Sequence, residues 1–177
     1  MPLYKSGSKL KIKFKLNNKD VSTETDNRIL LTDFLRHHMG ETGTHVGCEH
    51  GICGACTILL NGNPIRSCLM FASQLNGQEI VTVEGLSNDK NFQNLRIAFK
   101  KNHALQCGFC TPGFLITITA YLNKYPKLPN ENKIREILSG NMCRCTGYVG
   151  IVKAVKEVIE INNNSQKYVW SWNNNFI

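Results

Sequence analysis

The chain has 177 residues, 42% of them hydrophobic, and a formal net charge of +8. That composition suits one ordinary domain or two small ones and excludes a disordered chain. No apolar run approaches the about eighteen residues of a membrane span, and the start, MPLYKSGSKLKIKFKL, has no secretory h-region, so a cytoplasmic protein with no membrane span is expected.

In chain order, the first element is a strand at 10–16, where Ile12, Phe14 and Leu16 alternate with lysines. The basic residues form a solvated strand face suited to an acidic partner protein. No helix-turn-helix, RNP-type or finger spacing accompanies them, so no nucleic-acid partner is expected. A short helix follows at 32–38. Residues 45–56, HVGCEHGICGAC, then place three cysteines and three glycines in a dozen positions. Strands at 57–60 and 65–68 flank Asn61-Gly62, a strong hairpin signal. A three-residue loop at 61–63 would pair Leu60 with Pro64 and Cys56 with Cys68; a two-residue loop shifts this by one place. Another strand is expected at 79–83, then a linker at 86–90.

The rest reads as helical. Residues 92–101 carry Phe92, Leu95 and Phe99 at helical spacing. Thr111-Pro112 reads as a capping hydroxyl and a first-turn proline, opening a helix to about Asn123 that is apolar nearly all round and therefore buried. After the break at 125–129, Asn130 can cap a helix over 131–139 closed by Gly140. A last helix, about 150–162, has a core stripe of Ile151, Val152, Val155, Val158 and Ile159. Residues 163–177, with Tyr168, Trp170, Trp172 and Phe176, read either as a loose end or as a strap on a partner, since aromatics are enriched at interfaces.

The eight cysteines fall into two groups of four. Cys48, Cys53 and Cys56 form C-x4-C-x2-C, with Cys68 after eleven intervening residues. This is plant-type ferredoxin spacing for a 2Fe–2S cluster. Gly47, Gly51 and Gly54 let the loop curl and point its N–H groups at anionic sulfur. The C-x-H at Cys48–His50 lacks the second C-x2-H of a Rieske centre, and zinc favours two short cysteine pairs.

Cys107 and Cys110 form C-x2-C, and Cys143 and Cys145 form C-x-C after thirty-two intervening residues. Two antiparallel helices between them, rising ~18 Å and returning ~14 Å, would bring the pairs together. Spacing alone leaves iron–sulfur and zinc both open there. His37, His38, His45 and His103 read as packed or surface residues, Glu49 as solvated, and Arg144 as an interface residue or a charge that tunes the site.

Taken together, GCEHGICGACTILLNG at 47–62, SCLMFA at 67–72, VTVEGL at 81–86, QCGFCTPG at 106–113 and SGNMCRCTGY at 139–148 resemble the small iron–sulfur subunit of molybdenum hydroxylases. That family includes xanthine dehydrogenases, aldehyde oxidoreductases and carbon monoxide dehydrogenases, and the likeness spans about 9 to 162. The resemblance implies an α+β fold: a β-grasp, ferredoxin-like 2Fe–2S domain at 9–85, a four-helix-bundle 2Fe–2S domain at 91–162, and a tail at 163–177. It implies that Cys48 and Cys53 bind one iron of the first cluster and Cys56 and Cys68 the other. Cys107, Cys110, Cys143 and Cys145 would hold the second cluster, and Gln106 and Cys145 would contact the molybdopterin of a large partner subunit. It further implies electron transfer from molybdopterin through both clusters to FAD in a medium subunit, within a dimer of heterotrimers. No nucleotide loop, nucleophile elbow or substrate pocket appears in the chain itself, in keeping with a relay without a catalytic residue of its own.

Overall fold

The structure, a computed structural model, describes residues 7–125 and 130–173, with side chains through 163. Five strands form one mixed sheet in the order β2-β1-β5-β3-β4. β1 (Lys9–Leu16) turns through Asn17-Asn18 into β2 (Lys19–Asp26). Both turn residues have positive φ, 51° and 65°, which a two-residue hairpin requires and asparagine tolerates. The sequence reading has no strand at 19–26. KDVSTETD is polar because β2 is a sheet edge, largely exposed. Its register places Asp26, Glu24 and Asp20 directly opposite Lys9, Lys11 and Lys15, so the basic face of β1 is locally offset by carboxylates.

β3 (Thr57–Leu60) and β4 (Asn63–Arg66) form the expected hairpin on the shorter loop. Leu60 pairs with Asn63 across Asn61-Gly62, both at positive φ. Cys56 therefore lies opposite Ser67 rather than Cys68, and the chain enters a short 3-10 turn, Ser67–Leu69, instead of continuing as strand. β5 (Glu79–Val81) joins the hairpins, parallel to β1 and antiparallel to β3. Packed under this sheet is α1, which starts as an α turn at Leu31–Asp33 and continues as a π turn at Phe34–His38. Ile12, Phe14 and Leu16 meet Leu31, Phe34, Leu35, Ile58 and Ile80 in one buried cluster, with Phe14 edge-on to Phe34. Each such side chain contributes roughly 1.5–3 kcal/mol when fully buried.

A second buried cluster belongs to the helices α2 (Lys90–Lys101), α3 (Thr111–Lys124), α4 (Glu131–Leu138) and α5 (Val149–Asn173). α2 packs on α3 and α5, and α4 on the same two. α2 starts within the expected linker because Asp89 caps it, accepting the Phe92 N–H at 2.9 Å. Asn130 caps α4 as expected, accepting from the Lys133 N–H. α3, however, is capped by Cys110, and the Thr111 hydroxyl is buried without a protein partner. α3 is apolar all round because one side packs on β3 and β4 and the other on helices. α5 continues through Asn173 rather than ending near 162, while the aromatic side chains of the tail lie outside the described residues. The expected break at 126–129 also lies outside them.

Candidate iron–sulfur centres

The first thiol group is built by a loop that turns around its own sulfurs. Arg36, from the π turn of α1, donates to the carbonyls of Thr42 at 2.7 Å and Thr44 at 2.8 Å, anchoring the approach to Cys48. Gly51 and Gly54 adopt positive φ, 85° and 74°. At Gly51 a Cβ would stand 2.6 Å from Leu69, so a side chain there would meet steric as well as backbone strain. Gly47 has another role: its bare Cα lets the chain pass close to Cys53 Sγ and the Phe109 ring.

Backbone N–H groups converge on the sulfurs. The Cys53 N–H points at Cys48 Sγ (3.4 Å) and the Ala55 N–H at Cys53 Sγ (3.5 Å). The N–H groups of Cys53 and His50 hold the Cys48 thiol down at about 6. Burial, then the neighbouring Cys56 thiol, pushes Cys68 up to about 11, while the Gly51 N–H opposes the rise. Burial also raises Cys53. Cys56 and Cys68 are buried and joined through Ser67, whose N–H and hydroxyl both donate to the Cys56 carbonyl, at 3.2 and 2.8 Å.

In the second group, Cys107 Sγ lies 3.5 Å from Cys145 Sγ, and the Cys110 thiol meets that of Cys143. The first separation far exceeds the ~2.05 Å of a disulfide. Two sulfurs each ~2.3 Å from one tetrahedral ion stand about 3.8 Å apart, so the pair is set for a shared metal. Burial, then the Cys143 thiol, pushes Cys110 up to about 12. Burial also works on Cys143, but the hydroxyl and N–H of Thr146, at 3.2 and 3.5 Å from its sulfur, hold it below the ordinary thiol value. The Cys107 thiol raises Cys145. Gln106 donates to the Cys145 carbonyl at 3.0 Å, and Cys107, Cys145, Gln106 and Arg144 are all exposed.

Among the described residues no group of three or more His, Cys, Asp or Glu surrounds a single ion position. The thiols stand two by two: Cys48 with Cys53, Cys56 with Cys68, Cys107 with Cys145, Cys110 with Cys143. Two pairs per group is the arrangement a cluster of two irons takes, and N–H donors aimed at sulfur suit its anionic charge. The two groups open on one cleft of about 620 Å³, lined by Cys48, Cys53, Cys107, Cys110, Cys143 and Cys145 together with Phe109 and Met142.

A seam of residues absent from the sequence reading joins them. The Met142 N–H donates to the Cys53 carbonyl at 2.9 Å. Asn141, 1% exposed, donates from its amide to the Gly54 carbonyl at 3.0 Å and accepts from the Thr117 hydroxyl at 2.9 Å. Arg66 bridges the Thr57 hydroxyl and the Gly140 carbonyl. Gly113 fits so closely under Gly54 that a Cβ would stand 2.2 Å from its carbonyl oxygen. His45 stacks on Phe109 with ring centroids 4.8 Å apart and bonds its carbonyl through Nδ1 at 2.7 Å, the structural role expected of it. Nothing in the spacing of Asn141 or Arg66 marks them, because each bonds a backbone carbonyl distant in sequence, Gly54 and Gly140, that only the fold brings near.

Residues 41–104 match a 2Fe-2S iron-sulfur cluster binding domain, and residues 82–156 match a second family, the 2Fe-2S binding domain. The gamma subunit of caffeine dehydrogenase from Pseudomonas sp. strain CBB1 is 50% identical over 149 residues, covering 83% of this chain and 89% of that one. The small FeS subunit of nicotinate dehydrogenase from Eubacterium barkeri is 40% identical over 153 residues, 86% and 97%. The chain is a small iron–sulfur subunit of the molybdenum hydroxylase family. The solved quinoline 2-oxidoreductase from Pseudomonas putida 86 superposes on it with a TM-score of 0.81 at 44% identity, covering 88% of this chain and 97% of that one. This small iron–sulfur subunit has an α+β fold, two 2Fe–2S clusters as cofactors, and electron transfer within an oxidoreductase complex as its function. No helix among its described residues is long and apolar enough to cross a membrane.

Proposed function

We propose that this chain relays electrons from the molybdopterin centre of a large partner subunit to FAD in a medium partner subunit. In this reading, Cys48, Cys53, Cys56 and Cys68 ligate the cluster toward FAD, and Cys107, Cys110, Cys143 and Cys145 the cluster toward molybdopterin. The carrying observation is that one pair of the first group, Cys48 and Cys53, shares a cleft with both pairs of the second, of which Cys107 and Cys145 are exposed. An exposed pair on one group and a buried pair on the other suit a conductor with a docking end. When bound, a 2Fe–2S cluster supplies reversible one-electron chemistry.

The residues do the rest. N–H groups of the 48–55 loop stabilise anionic sulfur, Thr146 does the same at Cys143, and burial at Cys56 and Cys68 excludes water. Gln106, tied to the Cys145 carbonyl, is the contact to the pterin, with Cys145 beside it; Arg144 faces the same partner. We take the frame to be a β-grasp, ferredoxin-like domain over 9–85 and a four-helix bundle over 91–162; the two separate buried clusters support that division. The assembly is a dimer of heterotrimers in the cytoplasm, with the 163–177 segment available to a partner. Purification of the native complex through a tag on this chain tests the relay. Co-purification of a molybdopterin chain and a flavin chain supports it; isolation of this chain alone, with its clusters and no such partners, would favour a free-standing carrier.

A further inference from the structure

Gly54 lies between two cysteines of the first group, Asn141 two residues before Cys143, and Thr117 on α3, the helix that Cys110 caps. The Asn141 side chain joins these three segments. Its Nδ2 donates to the Gly54 carbonyl and its Oδ1 accepts from Thr117. The Gly54 carbonyl is held from its own side as well, by the Thr57 hydroxyl at 2.5 Å and the Thr57 N–H at 3.3 Å.

The contact has no slack. A Cβ on Gly54 would stand 2.6 Å from Asn141 Nδ2, and one on Gly113 3.0 Å from it. Water is excluded, so the amide cannot exchange its protein partners for solvent. Aspartate could not replace it, having no N–H for the Gly54 carbonyl. The Met142 to Cys53 bond, the Arg66 to Gly140 bond and the His45 to Phe109 contact also cross between the two groups; Asn141 adds a buried side chain bonded at once to the Gly54 carbonyl and to α3.

We propose that Asn141 is a positioning residue that sets the separation and mutual orientation of the two iron–sulfur centres by clasping both cysteine segments to α3. The proposal rests on the two-cluster reading and deepens it. It adds a residue that ligates nothing yet governs the coupling between centres.

The test compares native complexes carrying Asn141→Ala or Thr117→Val with wild type, by iron content and by EPR of the fully reduced state. All eight cysteines remain, so each centre is expected to keep its iron and its own g values. The spin–spin splitting between the two signals is expected to narrow strongly in Asn141→Ala and more weakly in Thr117→Val. Wild-type splitting in both variants would overturn the proposal. Should Asn141→Ala fail to load its clusters, Thr117→Val decides: narrowed splitting supports the clasp and unchanged splitting overturns it. A wild-type complex with a single signal and half the iron would instead count against the two-cluster reading.

Discussion

Gly113→Ala is the sharpest structural perturbation available at the seam. Gly113 sits in the first turn of α3 with ordinary backbone angles, so the substitution taken alone should favour the helix by ~1 kcal/mol. The added Cβ would nevertheless lie 2.2 Å from the Gly54 carbonyl oxygen. Relief requires a shift of about 1 Å, and that carbonyl is pinned by Asn141 and Thr57. Overpacking of this kind costs ~1–3 kcal/mol, and weakening two hydrogen bonds adds ~1 kcal/mol each. The net destabilisation is about 2–4 kcal/mol, which for a chain of this size lowers Tm by roughly 5–15 °C. Thermal loss of visible cluster absorbance in the native complex is the assay. A variant melting at or above wild type would refute the close packing of α3 under the cysteine loop, because propensity alone would then have decided the outcome.

Three further outcomes are expected. Cys110→Ser should reduce iron from four to two per chain and remove one of the two reduced EPR signals, leaving the other unchanged. Asn17 accepts the Thr82 N–H at 2.9 Å and donates to its hydroxyl at 3.0 Å while holding a positive-φ turn, so Asn17→Ala should cost about 2–3 kcal/mol and Asn17→Gly, which keeps the turn, about 1 kcal/mol less, measured by melting. Burial and then the Glu84 charge raise the Glu41 carboxyl, so the folded state holds that proton more tightly than the unfolded chain, and the penalty grows as pH rises through the carboxylate range. Glu84→Gln should therefore stabilise the fold by ~0.5 kcal/mol at about pH 7 after solvent screening, read as a higher Tm, and leave Tm unchanged near pH 4.

The cysteine spacings read through to the site because cluster ligation imposes local constraints: three thiols in one loop need glycines beside them, and Asn61-Gly62 returns the fourth. The helices were legible for a similar reason, since Asn130 and the apolar stripes of α2 and α5 act within a turn of themselves, whereas the Asp89 cap that starts α2 within the expected linker went unread. β2 was not, because an edge strand buries little and shows no apolar alternation; its signal was the Asn17-Asn18 turn and the match of Asp20, Glu24 and Asp26 to the lysines of β1. The Thr111 cap failed because the preceding cysteine already occupies that position. The seam of Asn141, Arg66 and Gly113 was silent, since each acts on backbone that only the tertiary fold brings near.

The central claim, two 2Fe–2S centres held by eight cysteines in one chain, is tested most directly by iron and acid-labile sulfide analysis of the native complex with EPR after reduction. The account predicts four irons and four labile sulfides per chain and two distinguishable reduced signals. A colourless preparation with zinc and no labile sulfide would contradict it.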